Sequence, residues 1–134
     1  MILYRPAVPE DLEALRTFVA DNGWGSRVSD PERFHLIVTQ ADRTVVALDG
    51  TRIVGFARAL CDGVSNGYIS MVGVAEDRRR QGIGRQLVEQ IMTADPDNKI
   101  TWVLRAGRGS GEFWQRLGFK KSEIAMERVR QEAK

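Results

Sequence analysis

One segment constrains this 134-residue chain more than any other: Val72-Gly73-Val74-Ala75-Glu76-Asp77-Arg78-Arg79-Arg80-Gln81-Gly82-Ile83-Gly84-Arg85. A strand candidate, Tyr68–Val74, runs into a basic, glycine-punctuated turn, and the turn opens directly into a helix. That helix carries Ile83, Leu87, Val88, Ile91 and Met92 on one face and stops at Asp95-Pro96. The first turn of a helix has free N–H groups and the positive end of the helix dipole, so such a junction suits an anion. Gly82 and Gly84 let the backbone approach a phosphate with no Cβ in the way. Arg78, Arg79, Arg80 and Arg85 add charge to the same spot. A dinucleotide fingerprint would need a third glycine, and a Walker loop would need Gly-Lys-Ser/Thr; both are absent. Two readings stand: a diphosphate-like anion held at a helix N-terminus, or a solvated basic turn with glycines for packing.

The rest of the chain supplies a sheet around this junction. Ile2–Arg5 reads as a strand. Pro9, Glu10 and Asp11 open a helix with Leu12, Leu15, Phe18 and Val19 as its apolar stripe. Asn22–Gly25 ends it, with Trp24 between two glycines in an exposed loop. Ser29-Asp30-Pro31-Glu32 starts a second helix that carries Phe34, Ile37 and Val38. Thr44–Leu48 and Arg52–Leu60 are strand-like runs joined at Asp49-Gly50, a dipeptide suited to a primed turn. Ile100–Leu104 is a further strand, Phe113, Trp114 and Leu117 lie on a short helix closed by Gly118, and Ile124–Val129 reads as a last strand. The order β-α-α-β-β-β-α-β-α-β predicts an α/β (α+β) sheet with antiparallel and parallel pairs, in a single domain over residues 1–134.

Function classes narrow further on composition. Net charge is only +2, which argues against a dedicated nucleic-acid binder. The tail bases Arg128, Arg130 and Lys134 are interrupted by Glu127 and Glu132. Cys61 is the only cysteine, so no intrachain disulfide is available, and it reads as a buried structural thiol in the run Ala57–Cys61. One histidine, His35, leaves no pair for a zinc site, so no metal is expected. No apolar run approaches a membrane span, and a cytoplasmic location with no membrane partner is the expectation.

Arg79-Arg80-Gln81-Gly82-Ile83-Gly84 resembles the Arg/Gln-x-x-Gly-x-Gly/Ala signature of the GNAT superfamily of N-acetyltransferases. Phe113-Trp114-Gln115-Arg116-Leu117-Gly118-Phe119 resembles the family's second block, and Arg5–Leu12 its opening strand-to-helix junction. The resemblance spans about residues 2–128. It implies a mixed, mostly antiparallel twisted sheet of about six or seven strands flanked by about four helices. Two parallel strands, Tyr68–Val74 and Ile100–Arg105, would splay apart where acetyl-CoA enters. Backbone groups around Met71, Val72 and Val74 would pair with the pantetheine arm. The N–H groups of Gln81, Gly82, Ile83, Gly84 and Arg85 would receive the pyrophosphate, supported by Arg79 and Arg80.

The implied activity is transfer of the acetyl group to a primary amine, on a small molecule or a peptide, by direct attack. A bulge near Met71–Val72 would present an N–H to the oxyanion. Many members protonate the leaving thiolate with a tyrosine, and here that position is Trp114, which the resemblance implies would line the coenzyme but which is no practical acid. A position often held by Asn is Gly107. Tyr68 is the candidate catalytic group by analogy with a carboxylate in some members, set against ordinary packing on a sheet face. Glu112 and Ser70 are weaker candidates. Trp24 is a candidate wall of the acceptor pocket, His35 reads as an exposed or packing residue, and Trp102 as core. A homodimer is expected by analogy only. The competing reading is a protein that binds acetyl-CoA without turnover, as a sensor or partner subunit.

Overall fold

The computed structural model describes residues 1–107 and 109–131; Glu132 and Lys134 of the tail lie outside them. The elements are β1 (Ile2–Arg5), α1 (Leu12–Val19), α2 (Pro31–Thr39), β2 (Arg43–Asp49), β3 (Arg52–Cys61), β4 (Asn66–Val74), α3 (Ile83–Met92), β5 (Thr101–Leu104) and α4 (Gly111–Arg116). The sheet order is β1-β2-β3-β4-β5, antiparallel at its first three pairings and parallel between β4 and β5. The mixed, mostly antiparallel architecture with four α-helices agrees with the expectation.

Helix starts follow local chemistry. Asp30 caps α2, its carboxylate accepting from the N–H groups of Glu32 (3.0 Å) and Arg33 (3.3 Å), with Pro31 in the first turn. Arg5 grips Asp11 through two hydrogen bonds of 2.7 and 3.0 Å, tying β1 to the entry of α1. The helices cover the sheet from both sides. Leu87 and Ile83 of α3 lie against Gly55 on one face, while Phe18 and Trp24 lie against Gly73 on the other. Leu15, Val19, Phe34, Phe56, Leu87 and Ile91 form the centre of the core. Burial of each such side chain contributes about 1.5–3 kcal/mol.

Four expectations need correction. The described residues form five strands, fewer than the six or seven expected, because Ile124–Val129 does not become a strand. Its alternation supplies an apolar face, but Ile124 and Met126 are over 90% exposed, at 91% and 96%. The Ser122 hydroxyl accepts from the N–H groups of Ile124 and Ala125, so a local turn uses donors that a ladder would need. The β2–β3 turn centres on Gly50-Thr51 instead of Asp49-Gly50: Asp49 pairs with Arg52, and Gly50 alone takes a positive φ, of 63°. That pattern, glycine at the first central position, is the type II′ arrangement. Trp24 is half-buried, not exposed, because Gly23 (φ 112°) turns the chain back so that the indole packs against Gly73. Cys61 is half-buried at the end of β3, where its sulfur accepts from the Gly63 N–H, rather than buried in the core.

Candidate active site

The parallel pairing of β4 with β5 runs from Asn66↔Thr101 to Ile69↔Leu104 and then stops, while β4 continues to Val74. The register against β3 shifts at the same place: Ala59 pairs with Ile69 and Arg58 with Met71, leaving Ser70 as an extra residue. Such a bulge sharpens the local twist and swings the strand away from its neighbour. The sheet therefore parts at Ser70. The Ala75 N–H bonds to the Val54 carbonyl (2.9 Å), so by the alternation of an antiparallel ladder Val72 and Val74 turn their own N–H and C=O groups toward the gap. An extended polar chain could add there as a strand would. Met71 follows the bulge, with its side chain in the core.

The gap leads to the basic loop. Gly82 is the N-cap of α3 in the left-handed region (φ 82°, ψ 6°), with no side chain capping the helix and no acid in its first turn. The first α-helical bond joins Gln86 N–H to Gly82 C=O at 3.0 Å, so the N–H groups of Ile83, Gly84 and Arg85 have no intrahelical acceptor. Arg80 is also left-handed, at φ 65°, so two such residues flank Gln81. Nothing lies within 4 Å of a Cβ placed on Gly82. Unpaired donors, open space and uncompensated dipole together fit a diphosphate.

The four arginines do not act together there. Arg78 is bound to Asp49 and lies 3.9 Å from Asp77, and Arg85 pairs with Glu89 along the helix at 3.0 Å. Neighbouring Asp77 is itself gripped by Arg52 through two hydrogen bonds of 2.8 and 3.0 Å, which hold its carboxyl below the usual range. Arg79 and Arg80 are left without an ion pair among the described residues, and Arg79 Nε donates to the Val74 carbonyl at 3.4 Å, at the edge of the gap. The two glycines also differ. Gly82 is needed for its backbone angle, whereas a Cβ on Gly84 would meet the Phe113 ring at 3.1 Å and Val74 at 3.6 Å. Phe113 thus seats the start of α3 against α4 and the end of β4.

Trp114 is 8% exposed and packs edge-on between Phe113 (4.9 Å) and Phe119 (5.3 Å). It is placed in the core cluster. Tyr68 lies on β4 opposite Val103 of β5 and Leu60 of β3, two residues before the bulge and half-buried. By register it shares the face of Arg58 and Gly73, which α1 and α2 cover. Trp24 stands over the same face further along β4. Glu112 is exposed and near Arg116 (3.6 Å), and His35 sits 3.9 Å from Glu13 on the α1–α2 pair. Trp102 is half-buried across Gly67, its indole N–H donating to Asp95 at 3.2 Å. Gly107 accepts the Ser110 hydroxyl at 2.7 Å.

The residue that sequence reading missed is Arg58. It stands on β3 opposite Met71, with Nε donating to the Ile37 carbonyl of α2 (2.7 Å) and Nη1 to the Ser70 hydroxyl (2.5 Å). Its signal was available: one full charge inside the otherwise apolar run Ala57–Cys61. Among the described residues no cluster of three or more His, Cys, Asp or Glu side chains could hold a metal, and no helix is long and apolar enough to cross a membrane.

A family model for the acetyltransferase (GNAT) domain matches residues 40–121. Mycothiol acetyltransferase of Thermobifida fusca (strain YX) is 28% identical over 109 residues, covering 77% of this chain and 34% of that protein, so the chain spans about a third of that relative's length. A Staphylococcus aureus protein of unknown function, described as a probable acetyltransferase, superimposes with a TM-score of 0.77 at 22% identity, over 99% of this chain and 100% of that one. An acetyltransferase of the GNAT family from Streptococcus pneumoniae TIGR4 gives a TM-score of 0.72 at 22% identity, over 98% of both chains. At these identities the two structures speak for the fold.

Proposed function

The chain belongs to the GNAT family of acetyltransferases, and on that premise we propose that it moves an acetyl group from acetyl-CoA to a primary amine, by direct attack in a ternary complex. The observation that carries this reading is the open edge of β4 after Ile69, which leads to the uncapped start of α3. In the proposal, Val72 and Val74 pair with the pantetheine arm, and Met71 flanks it. The N–H groups of Gln81, Gly82, Ile83, Gly84 and Arg85 hold the pyrophosphate, with Arg79 and Arg80 as mobile counter-charges. Release of Arg79 from the Val74 carbonyl would free that acceptor for the arm.

The chemistry then needs three things from the chain. The acceptor must arrive as a neutral amine, and because an alkylamine has a pKa of about 10, a base or water chain has to take its proton. Tyr68, two residues before the bulge on the acceptor-facing side, is proposed for that path. The amine nitrogen attacks the thioester carbon, and an N–H at the Ser70–Met71 bulge stabilises the oxyanion. The C–S bond breaks, the amide forms, and the thiolate takes a proton from water, since the Trp114 indole is no practical acid.

A second reading, coenzyme binding without turnover, is favoured by one observation. The tyrosine's position is held by Trp114, whose side chain is committed to an aromatic core. Calorimetry with acetyl-CoA, followed by thiol release on a panel of primary amines, separates the two. Micromolar binding with turnover supports the transferase; binding with no turnover on any amine supports the second reading; no binding by folded protein overturns both.

A further inference from the structure

We propose that Arg58 is a specificity-determining residue for an acceptor amine that also carries a carboxylate, the guanidinium receiving that carboxylate where the sheet parts. The inference rests on the acetyltransferase reading above and adds to it a class of acceptor.

The argument begins with an unpaired charge. Arg58 is half-buried, yet it has no carboxylate within ion-pairing distance among the described residues. Half-buried or buried guanidinium groups ordinarily sit against an acid, because taking the charge out of water is costly. Elsewhere in this chain Arg5 meets Asp11, Arg16 meets Glu13 and Arg78 meets Asp49, whereas half-buried Arg43, away from the gap's bulge residue Ser70, is held by the Gln90 carbonyl and the Thr93 hydroxyl. Asp42 is near enough to be felt electrostatically but lies beyond ion-pairing distance, its Oδ2 accepting from the Cys61 N–H at 2.7 Å. Burial lowers the pKa of Arg58, though it stays charged at neutral pH.

Geometry adds the position and the free donors. Nε and Nη1 are taken by Ile37 and Ser70, which fix the guanidinium plane. Nη2 has no acceptor among the described residues and is not fully buried, so it is in contact with solvent. A planar group with its orientation locked and an edge free is suited to a carboxylate. Ser70 is also the bulge residue at which β4 leaves β5, so the charge stands at the apex of the gap, on the face shared with Tyr68 and, further on, Trp24. An amine held there by its own carboxylate would present nitrogen toward the apex, where the thioester is placed in the proposed reaction.

The test pairs probes that differ by one anionic group: L-phenylalanine against phenethylamine, and O-phosphoethanolamine against ethanolamine, each with acetyl-CoA as donor and thiol release as readout. Arg58→Met should raise KM for phenylalanine about 10- to 100-fold, the range of a charge-assisted hydrogen bond, while KM for phenethylamine changes less than about 3-fold. Arg58→Lys, which keeps the charge but loses the fork, should recover part of the preference. Melting curves with and without CoA show whether each variant is folded. Equal losses on charged and neutral probes would make Arg58 a structural clamp and overturn the inference while the transferase reading stands. Preference for the phosphate-bearing amine over the carboxylate-bearing one would overturn the carboxylate assignment. No turnover of any probe by the native protein would overturn the transferase reading and this inference together.

Discussion

Replacing Gly82 separates two demands on the α3 turn, one from the backbone and one from the ligand. The residue sits at φ 82° and ψ 6°, and a Cβ there would touch nothing within 4 Å. Gly82→Ala therefore carries no steric clash, only the cost of a left-handed L-residue, about 1–2 kcal/mol. The stiffer unfolded chain offsets about 0.4–1 kcal/mol of that. The net loss is about 1 kcal/mol, or about 3–5 °C in Tm for a chain of this size. Gly82→Asn should lose less, because asparagine tolerates this region. Gly82→Glu has the same backbone cost but adds a negative charge beside the proposed pyrophosphate. At a separation of about 5 Å that repulsion is about 0.8 kcal/mol in water and about 3.3 kcal/mol at an effective dielectric of 20. Acetyl-CoA affinity should then fall about 4- to 250-fold, well beyond the Ala variant. Scanning calorimetry gives the Tm values and titration calorimetry the affinities. If the Glu and Ala variants, both folded, bind acetyl-CoA equally well, the pyrophosphate does not lie at this helix start and the site reasoning fails.

Three further outcomes follow from named contacts. Arg78→Ala, which breaks the pair with Asp49, should lower Tm and leave acetyl-CoA affinity within about 2-fold, whereas Arg79→Ala and Arg80→Ala should each weaken it about 3- to 10-fold and flatten its salt dependence, as titrations at two ionic strengths would show. Asp30→Ala removes the cap of α2 and should cost about 1 kcal/mol in urea melts, with Asp30→Ser recovering most of it. The Asp62 carboxylate accepts from the N–H groups of Ser65, Asn66 and Val64 and from the Ser65 hydroxyl, which hold its pKa far below the usual range. A depressed folded pKa contributes stability that is full above the unfolded value of about 3.9 and is lost as pH falls through the folded one. Asp62→Asn should therefore be less stable than the native chain at pH 7. Urea melts should show that difference shrinking below about pH 4, and a difference constant down to pH 2 would refute the assignment.

The parts of the fold that were legible are those where one periodicity or one cap decides the outcome. Leu12, Leu15, Phe18 and Val19 repeat at helical spacing, and all four are buried in α1. The strand-turn-helix junction at Arg79–Gly84 is readable because glycine, arginine and an amphipathic stretch each point to the same backbone. What failed depends on partners distant in sequence. Ile124–Val129 has the alternation of a strand, but alternation cannot reveal whether an edge lies alongside it or whether Ser122 will take its N–H groups. The withdrawal of Arg78 from the loop was likewise invisible, because Asp49 lies 29 residues before it, whereas the Arg85–Glu89 pair is local to the helix. Gly84 looked like Gly82 in the sequence; only the approach of Phe113 distinguishes packing from backbone angle.

Ser70 shows why a single extra residue is enough to build such a site. Before it, β4 is an ordinary interior strand, paired on both sides through Ile69. After it, the strand keeps β3 as a partner from Met71 to Val74 and loses β5. A strand edge inside a sheet is normally a liability, since its polar groups need partners. Here the edge is short, it begins beside a fixed arginine, and it ends beside an uncapped helix, so its unmet hydrogen bonds lie in line with unmet positive charge. Strand, arginine and helix start have separate local causes: the bulge, the contacts of Arg58 with Ile37 and Ser70, and the left-handed Gly82. Their alignment, rather than any one of them, is what makes a long, polar, anionic ligand the natural complement of this surface.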